Sequence, residues 1–216
     1  MNKFTSFTIV FVSLLAVGIG YLAVNSKLET TQTTQKDLAA DVTDADHTVG
    51  SSTARVTLVE YGDFQCPACA LYYPLVEQVR KGYGDNLRLV FRQFPLRTNH
   101  KNAQPAAEAS EAAALQGKFW EMHGLLYEHQ TDWSDAADPK TFFTQYAASL
   151  ALDLNKFSSD MASDAVKARI ERDVVSGNSS GVNGTPSFYL NGKKIQSPKS
   201  PGEFKNLIDQ AFNASS

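Results

Sequence analysis

The chain has 216 residues, of which 43% are hydrophobic and 20% are charged, and its formal net charge is −3. This composition is typical of a globular protein with a core of its own, and the length allows one enlarged domain or two small ones. The mildly acidic balance does not provide the basic surface that nucleic acids require, so we expect no nucleic-acid partner.

The N-terminal segment has the pattern of an export signal. No charged side chain occurs in the 23 residues between Lys3 and Lys27, and a run of that length can span a bilayer. We expect residues 1–25 to form an uncleaved signal-anchor with one transmembrane helix. A cleaved signal peptide is the alternative, because Gly18-Ile-Gly20 resembles a cleavage site. Either way we expect the folded part outside the cytoplasm, in the cell envelope or periplasm, and secreted if the segment is cleaved.

Residues 26–46 are predicted to be a flexible linker. They are rich in Thr, Gln, Asp and Ala and contain no aromatic residue, so they cannot bury enough apolar surface to order themselves. We expect the folded part to begin near His47, with His47 itself exposed ahead of the first strand.

The only two cysteines follow a predicted strand. Residues 56–61 are rich in β-branched and aromatic side chains, and Gly62-Asp63 ends the strand. Cys66-Pro-Ala-Cys69 comes next, and residues 70–80 then have helical periodicity. One face of that helix is expected to hold Leu71, Leu75 and Val79. The cysteine pair is therefore predicted between the end of a strand and the first turn of a helix, where proline is tolerated.

The position at a helix N-terminus gives the two cysteines different roles. Unpaired backbone N–H groups carry the partial positive charge of the helix, so they stabilise a thiolate at Cys66 and lower its pKa. Cys69 lies one turn deeper on the same face, where it can close a short disulfide. We therefore expect a redox pair in which Cys66 attacks and Cys69 resolves. A structural disulfide or a metal site is disfavoured, because the ring is small and closed zinc sites take four ligands.

The remaining pattern predicts an α/β fold with a helical insertion. Residues 86–94 form a second strand, and strand, helix and strand in this order make a parallel βαβ unit. Helical patterns fill residues 99–176. These helices are expected at residues 102–115, 118–129, 140–150 and 155–176. A hairpin around Asn191-Gly192 follows, and a capping box at residues 200–203 opens the last helix.

Four features together resemble the DsbA-type thiol–disulfide oxidoreductases. They are the sequences EYGDFQCPAC at residues 60–69, GKFWEMH at 117–123 after an alanine-rich helix, GVNGTPSF at 181–188, and the terminal strand-strand-helix order. The resemblance implies a thioredoxin-like fold whose two halves, residues 47–98 and 177–216, are separated by an inserted helical domain at residues 99–176.

The resemblance also implies the residues of the site. The Thr185-Pro186 bond would be cis and lie beside the cysteines, with the Thr185 backbone available to pair with an extended substrate peptide. Pro67 and Ala68 would contact the same substrate. Glu60 matches the buried acid of the family, which accepts the proton of the deeper cysteine and would have a raised pKa if desolvated. The alternative for Glu60 is a strand glutamate that faces water.

One position departs from the family pattern. Strongly oxidising members carry a histidine after the proline between the cysteines, whereas this chain has Ala68, so one source of thiolate stabilisation is missing. The four histidines lie far from the motif in sequence, and we expect them in surface or capping roles. They are His47, His100, His123 and His129.

The resemblance implies an exported monomeric enzyme without a cofactor that oxidises the dithiols of unfolded or extended proteins. A membrane quinone-linked partner, such as a DsbB or vitamin K epoxide reductase homologue, would reoxidise it. A disulfide reductase or isomerase of the same fold is the alternative. A non-catalytic peptide-binding chaperone and a glutathione-conjugating enzyme are disfavoured, because the Cys-x-x-Cys motif is intact.

Overall fold

The computed structural model describes residues 37–214. The predicted signal-anchor at residues 1–25 and the first part of the predicted linker lie outside this range. Within residues 37–214, no helix is both long enough and apolar enough to cross a membrane.

A five-stranded sheet forms the centre of the fold. Its strands are β1 (His47–Val49), β2 (Val56–Gly62), β3 (Leu87–Gln93), β4 (Ser187–Leu190) and β5 (Lys193–Ile195), in the spatial order β1-β3-β2-β4-β5. Strands β2 and β3 are parallel, as the crossover predicted, while β1, β4 and β5 are antiparallel to their neighbours. The three-residue strands β1 and β5 are therefore the two edges, and β2 lies in the middle.

The helices follow the predicted order, with one short addition. They are α1 (Pro67–Tyr83), α2 (Ala103–Ala114), α3 (Phe119–Glu128), α4 (Gln130–Trp133), α5 (Lys140–Ser149), α6 (Leu154–Ala162), α7 (Asp164–Ser179) and α8 (Pro201–Ala214). Helices α2 to α7 lie between β3 and β4 in sequence, so the predicted thioredoxin-like fold with a helical insertion is confirmed. The short helix α4 was not predicted.

The two faces of the sheet have separate cores. Helices α1 and α8 pack on one face through residues such as Val76, Phe204 and Ile208. The opposite face buries Tyr61 and Tyr189 against residues that include Val174 of α7. The inserted helices have a third core, and both cysteines belong to it. Its largest members include Phe64, Met122, Trp133, Phe143 and Phe157. The insertion therefore packs directly against the turn that carries the cysteines.

Helix α1 turns inward only part of the predicted face, because Val79 is buried and Leu75 is half-buried but Leu71 is not. Leu71 is 74% exposed, whereas Cys69, Val76 and Val79 are buried. Cys69 faces the core and its neighbours at helical spacing follow it inward, while Leu71, two positions further on, points away. The spacing of the apolar residues was correct, but the buried cysteine determines which face turns inward.

Residues 37–46 are ordered, so the flexible-linker prediction is wrong for this part of residues 26–46. The Leu38 N–H donates to the Gly192 carbonyl at 2.8 Å. Leu38 and Val42 pack against the core that contains Tyr61 and Tyr189. The guanidinium of Arg92 donates to the carbonyls of Ala40 and Asp41 and to the Asp46 carboxylate. Backbone hydrogen bonds and the buried charge of Arg92 hold this segment in place. The composition of the segment indicates neither of them.

Candidate active site

Cys66 is the N-cap residue of helix α1, directly before its first helical residue. It has extended backbone angles, its N–H donates to the Asp63 carbonyl at 3.1 Å, and Pro67 occupies the first helical position. Both thiols are free; Cys69 is fully buried, and Cys66 is 7% exposed. Cys66 is thus the more accessible of the two, as its predicted attacking role requires, but most of its surface is covered.

The surroundings separate the pKa values of the two thiols. A hydrogen bond from the Cys69 thiol, helped by backbone N–H groups of the first helical turn and opposed by burial, lowers the pKa of Cys66 to about 5. Burial, the hydrogen bond to Cys66 and the nearby charge of Glu60 raise the pKa of Cys69 well above its ordinary value. Near neutral pH, Cys66 is a thiolate and Cys69 a thiol.

Iodoacetamide is expected to modify Cys66 alone, with a pH midpoint of about 5, because only the thiolate reacts. Alkylation of the reduced protein at a series of pH values, read by mass spectrometry, measures this midpoint. The Cys66→Ser variant is the control and should stay unmodified near neutral pH. Modification of Cys69 before Cys66 would reverse the assignment of the two roles.

The Thr185-Pro186 segment lies beside Cys66, although 119 positions separate Cys66 and Thr185 in the chain. The Thr185-Pro186 bond is cis, and the Cys66 Sγ lies 3.4 Å from the Thr185 carbonyl oxygen. Pro67 is exposed and Ala68 is half-buried, so both present surface next to this segment. The four predicted substrate-binding positions are therefore close to the attacking sulfur.

Glu60 is buried on the central strand β2, with 4% of its surface exposed. Burial, and secondarily the charge of Cys66, raises the pKa of Glu60 to about 8. The alternative of a strand glutamate that faces water is therefore excluded. Near neutral pH the carboxyl group is mostly protonated, and it interacts electrostatically with both cysteines.

The Glu60→Gln protein is expected to gain stability relative to the reduced wild-type protein as the pH rises from about 4.5 to about 8, because the other titrating groups, Cys66 among them, contribute equally to both proteins. The unfolded chain ionises Glu60 near 4.5, whereas the folded protein keeps it protonated up to about 8. The folded state therefore holds an extra proton throughout this window, which costs roughly 3 kcal/mol at pH 7. Urea denaturation of both proteins at several pH values measures the difference. The same pH dependence in both would contradict a protonated Glu60.

Three of the four histidines are not in the predicted surface or capping roles. His47 stacks on Phe119 with 3.5 Å between ring centroids and contacts the Glu111 carboxylate. His100 contacts the fully buried carboxylate of Asp63 at 2.6 Å. His123 lies inside a cluster of aromatic rings, where burial lowers its pKa to about 3. Their partners are distant in sequence, so spacing gave no signal. Only His129 is exposed at a helix end as expected.

Sequence reasoning also missed a group of buried amides behind the cysteine turn. Gln65, Asn102 and Gln130 are each less than 10% exposed and bond to backbone groups around the turn and around α4. Asp63 was predicted only as a turn-former. It does accept the Gln65 N–H, but its other carboxylate oxygen also accepts the Leu96 N–H from the loop after β3.

Comparisons with known proteins agree with this fold. The thioredoxin family model matches residues 42–210. A thioredoxin-like oxidoreductase from Silicibacter pomeroyi is 26% identical with a TM-score of 0.67, over 79% of this chain and 94% of that one. Oxidised BdbD from Bacillus subtilis is 22% identical with a TM-score of 0.73, over 83% of this chain and 99% of that one.

The chain belongs to the thioredoxin family, and its fold is that of the DsbA-type thiol–disulfide oxidoreductases, with the helical insertion between the two halves. Curated relatives have a different kind of name. The Na(+)/H(+) antiporter NhaA 1 of Mycolicibacterium gilvum is 41% identical over 157 residues, 71% of this chain and 24% of that protein. The antiporter NhaA 3 of Salinispora tropica is 43% identical over 169 residues. The chain spans about a quarter of the length of these relatives.

Proposed function

We propose that the protein is an extracytoplasmic thiol–disulfide oxidoreductase that introduces disulfides into other proteins through Cys66 and Cys69. The observation that carries this proposal is the separation of the two thiols, with a pKa of about 5 for the accessible Cys66 and a raised pKa for the buried Cys69. A thiolate that is stable at neutral pH favours the reduced form, which makes the disulfide a stronger oxidant.

The first step opens the disulfide between Cys66 and Cys69. A substrate thiolate attacks the Cys66 Sγ, the new bond forms a mixed disulfide, and the electron pair of the broken bond leaves on the Cys69 Sγ. Because the pKa of Cys69 is high, that sulfur takes up a proton. Glu60 is protonated near neutral pH and supplies it.

The second step releases the oxidised substrate. A second substrate thiolate attacks the substrate sulfur of the mixed disulfide, and Cys66 leaves as the thiolate that its surroundings stabilise. The substrate gains a disulfide, and the protein keeps the electron pair as a reduced dithiol. The Thr185 backbone, next to Cys66, would hold an extended peptide in register with the sulfur, with Pro67 and Ala68 on its other side.

The reduced protein must then be reoxidised. We propose a membrane quinone-linked partner, a DsbB or vitamin K epoxide reductase homologue, with residues 1–25 as the anchor that keeps the protein close to it. Some relatives carry this domain within longer chains that are named Na(+)/H(+) antiporters, and this supports a location close to a membrane. The proposed enzyme acts as a monomer and needs no cofactor.

Dithiol oxidation by the purified protein tests the proposal, with Cys66→Ser as the inactive control. Equilibration with glutathione buffers gives the direction of electron flow. Because Ala68 replaces the histidine of strong oxidants, we expect a potential between about −270 mV, the value for thioredoxin, and about −120 mV, the value for DsbA. A potential at or below that of thioredoxin would favour the reductase, and peptide binding without thiol chemistry would favour the chaperone.

A further inference from the structure

Helix α4 of the insertion lies directly behind the cysteine turn and reaches it with one side chain. The amide Nε2 of Gln130 donates to the Phe64 carbonyl at 2.6 Å and to the Cys66 carbonyl at 3.0 Å. Gln130 is only 8% exposed. An amide nitrogen has two N–H groups, so both donors of Gln130 are used on the turn that carries the attacking cysteine.

The Cys66 carbonyl has a second partner, which connects it to helix α1. It accepts the Ala70 N–H at 3.2 Å, the first hydrogen bond of the helix. The Cys66 peptide group is therefore held from the helix side by Ala70 and from the insertion side by Gln130. The backbone N–H groups of Ala68 and Cys69, in the first helical turn, help to lower the pKa of Cys66. The orientation of the Cys66 peptide group affects how the Sγ faces these N–H groups.

Other amides of the same group hold the insertion without touching a cysteine. The Asn102 side chain donates to the carbonyls of Trp133, Ser134 and Ala136 at 2.9 to 3.2 Å. Gln65 bonds to the Ser134 carbonyl and the Asn102 N–H. Among these three side chains, only that of Gln130 bonds to a backbone atom of Cys66.

We propose that Gln130 is a positioning residue, through which the helical insertion holds Cys66 in the orientation that stabilises its thiolate. This inference rests on the proposed redox function of Cys66. It gives the insertion a role in the chemistry of the cysteine pair in addition to any role in binding substrates. Without the amide, two buried carbonyls of the turn lose a donor, and the turn can rotate to find others.

The test replaces Gln130 by Met, which has a similar length but no donor. The Gln130→Met protein should show a Cys66 thiolate that is about threefold to tenfold less stable, seen as a rise of the alkylation midpoint by about half to one pH unit. The equilibrium with glutathione should move toward a weaker oxidant by the same factor, because the reduced form loses that stabilisation.

Two control variants separate positioning from stability. Asn102→Leu removes a buried amide that donates to three carbonyls of the insertion, and it should lower the melting temperature without moving the Cys66 midpoint. Gln116→Met changes the same residue type at a half-buried site, where the Gln116 side chain bonds to the Asp153 backbone, and should leave the Cys66 midpoint unchanged. A wild-type midpoint and glutathione equilibrium in Gln130→Met, or an equal shift in Asn102→Leu, would overturn the proposal.

Neither readout requires the protein to oxidise a substrate. Wild-type protein that has an acidic Cys66 but no dithiol oxidase activity would therefore remove the proposed function and still leave the role of Gln130 measurable. If Gln130 does not affect Cys66 while the oxidase activity is present, the proposed function stands and the positioning role is wrong.

Discussion

Replacement of Cys69 by Ala is expected to stop turnover and to leave the protein covalently bound to its substrates. Cys66 loses the Cys69 hydrogen bond that lowers its pKa most, but it keeps the backbone N–H groups of the first helical turn and can still enter mixed disulfides, whereas the sulfur that resolves them is lost. The remaining routes of release are attack by the peptide's own second thiol, which re-forms the peptide disulfide, and attack by a thiol from solution, which lacks the proximity that helix α1 gives to Cys69. The adducts should appear on non-reducing gels of the variant incubated with a disulfide-containing peptide, and mass spectrometry should place them on Cys66.

The matched control is Cys66→Ala, which retains the buried Cys69. It should form no adducts near neutral pH, because burial keeps the Cys69 thiol protonated and covered. Adducts on Cys69 in that variant, at a rate similar to those on Cys66 in the first, would mean that the two cysteines are interchangeable. The proposed division of roles would then be wrong.

Replacement of Arg92 by Met is expected to lower the free energy of unfolding by about 3–5 kcal/mol. The Arg92 guanidinium is buried and donates to the Asp46 carboxylate at 2.8 and 3.2 Å and to the Tyr61 hydroxyl at 3.0 Å. Its removal leaves the carboxylate of Asp46, also only 5% exposed, without its cation. Urea denaturation measures the loss, and hydrogen exchange should show it first in residues 37–46.

The control for Arg92 is Arg97→Met, which breaks an ion pair between Arg97 and Glu171 in which both side chains are about half exposed. Exposed pairs contribute at most about 1 kcal/mol, so this variant should unfold almost like the wild type. Equal losses in the two variants would show that the Arg92 pair is not buried in solution.

The effect of Arg92 should also depend on pH. Burial opposes ionisation of Asp46, but hydrogen bonds from Arg92 and from the Thr43 N–H hold the pKa of Asp46 below its ordinary 3.8. A lowered folded-state pKa stabilises the protein fully above the ordinary value, and this contribution disappears as the pH falls through the lowered pKa. The difference in the free energy of unfolding between Arg92→Met and the wild type should therefore become smaller in acid.

Features that depend on local chain geometry were predictable from the sequence. The Asn191-Gly192 turn has positive φ at both residues, 47° and 79°, as a two-residue hairpin requires. The parallel pairing of β2 and β3 followed from the length of the crossover. The order of the two cysteines at a helix N-terminus predicted which thiol would be the more acidic, although the hydrogen bond from the Cys69 thiol lowers the pKa of Cys66 more than the backbone N–H groups of the helix do.

Features that depend on distant polar partners were not predictable. Gln130 contacts Cys66 across 64 positions, and His100 contacts Asp63 across 37. A buried amide or histidine has no periodicity to distinguish it from a surface residue, so the histidines were predicted in surface or capping roles and the amides were not singled out. The ordered structure of residues 37–46 was not predicted for the same reason, because it depends on the distant Arg92 rather than on the apolar content of the segment.

The short outer strands have a consequence for the proposed action on unfolded chains. A long exposed strand edge would pair with extended polypeptides and seed aggregates. Here β1 and β5 have three residues each; the Trp120 indole donates to the Thr48 carbonyl of β1, and β5 carries Lys193 and Lys194. The edges of the sheet thus offer little backbone for pairing with an extended chain, which leaves the Thr185 backbone as the proposed place for substrate pairing.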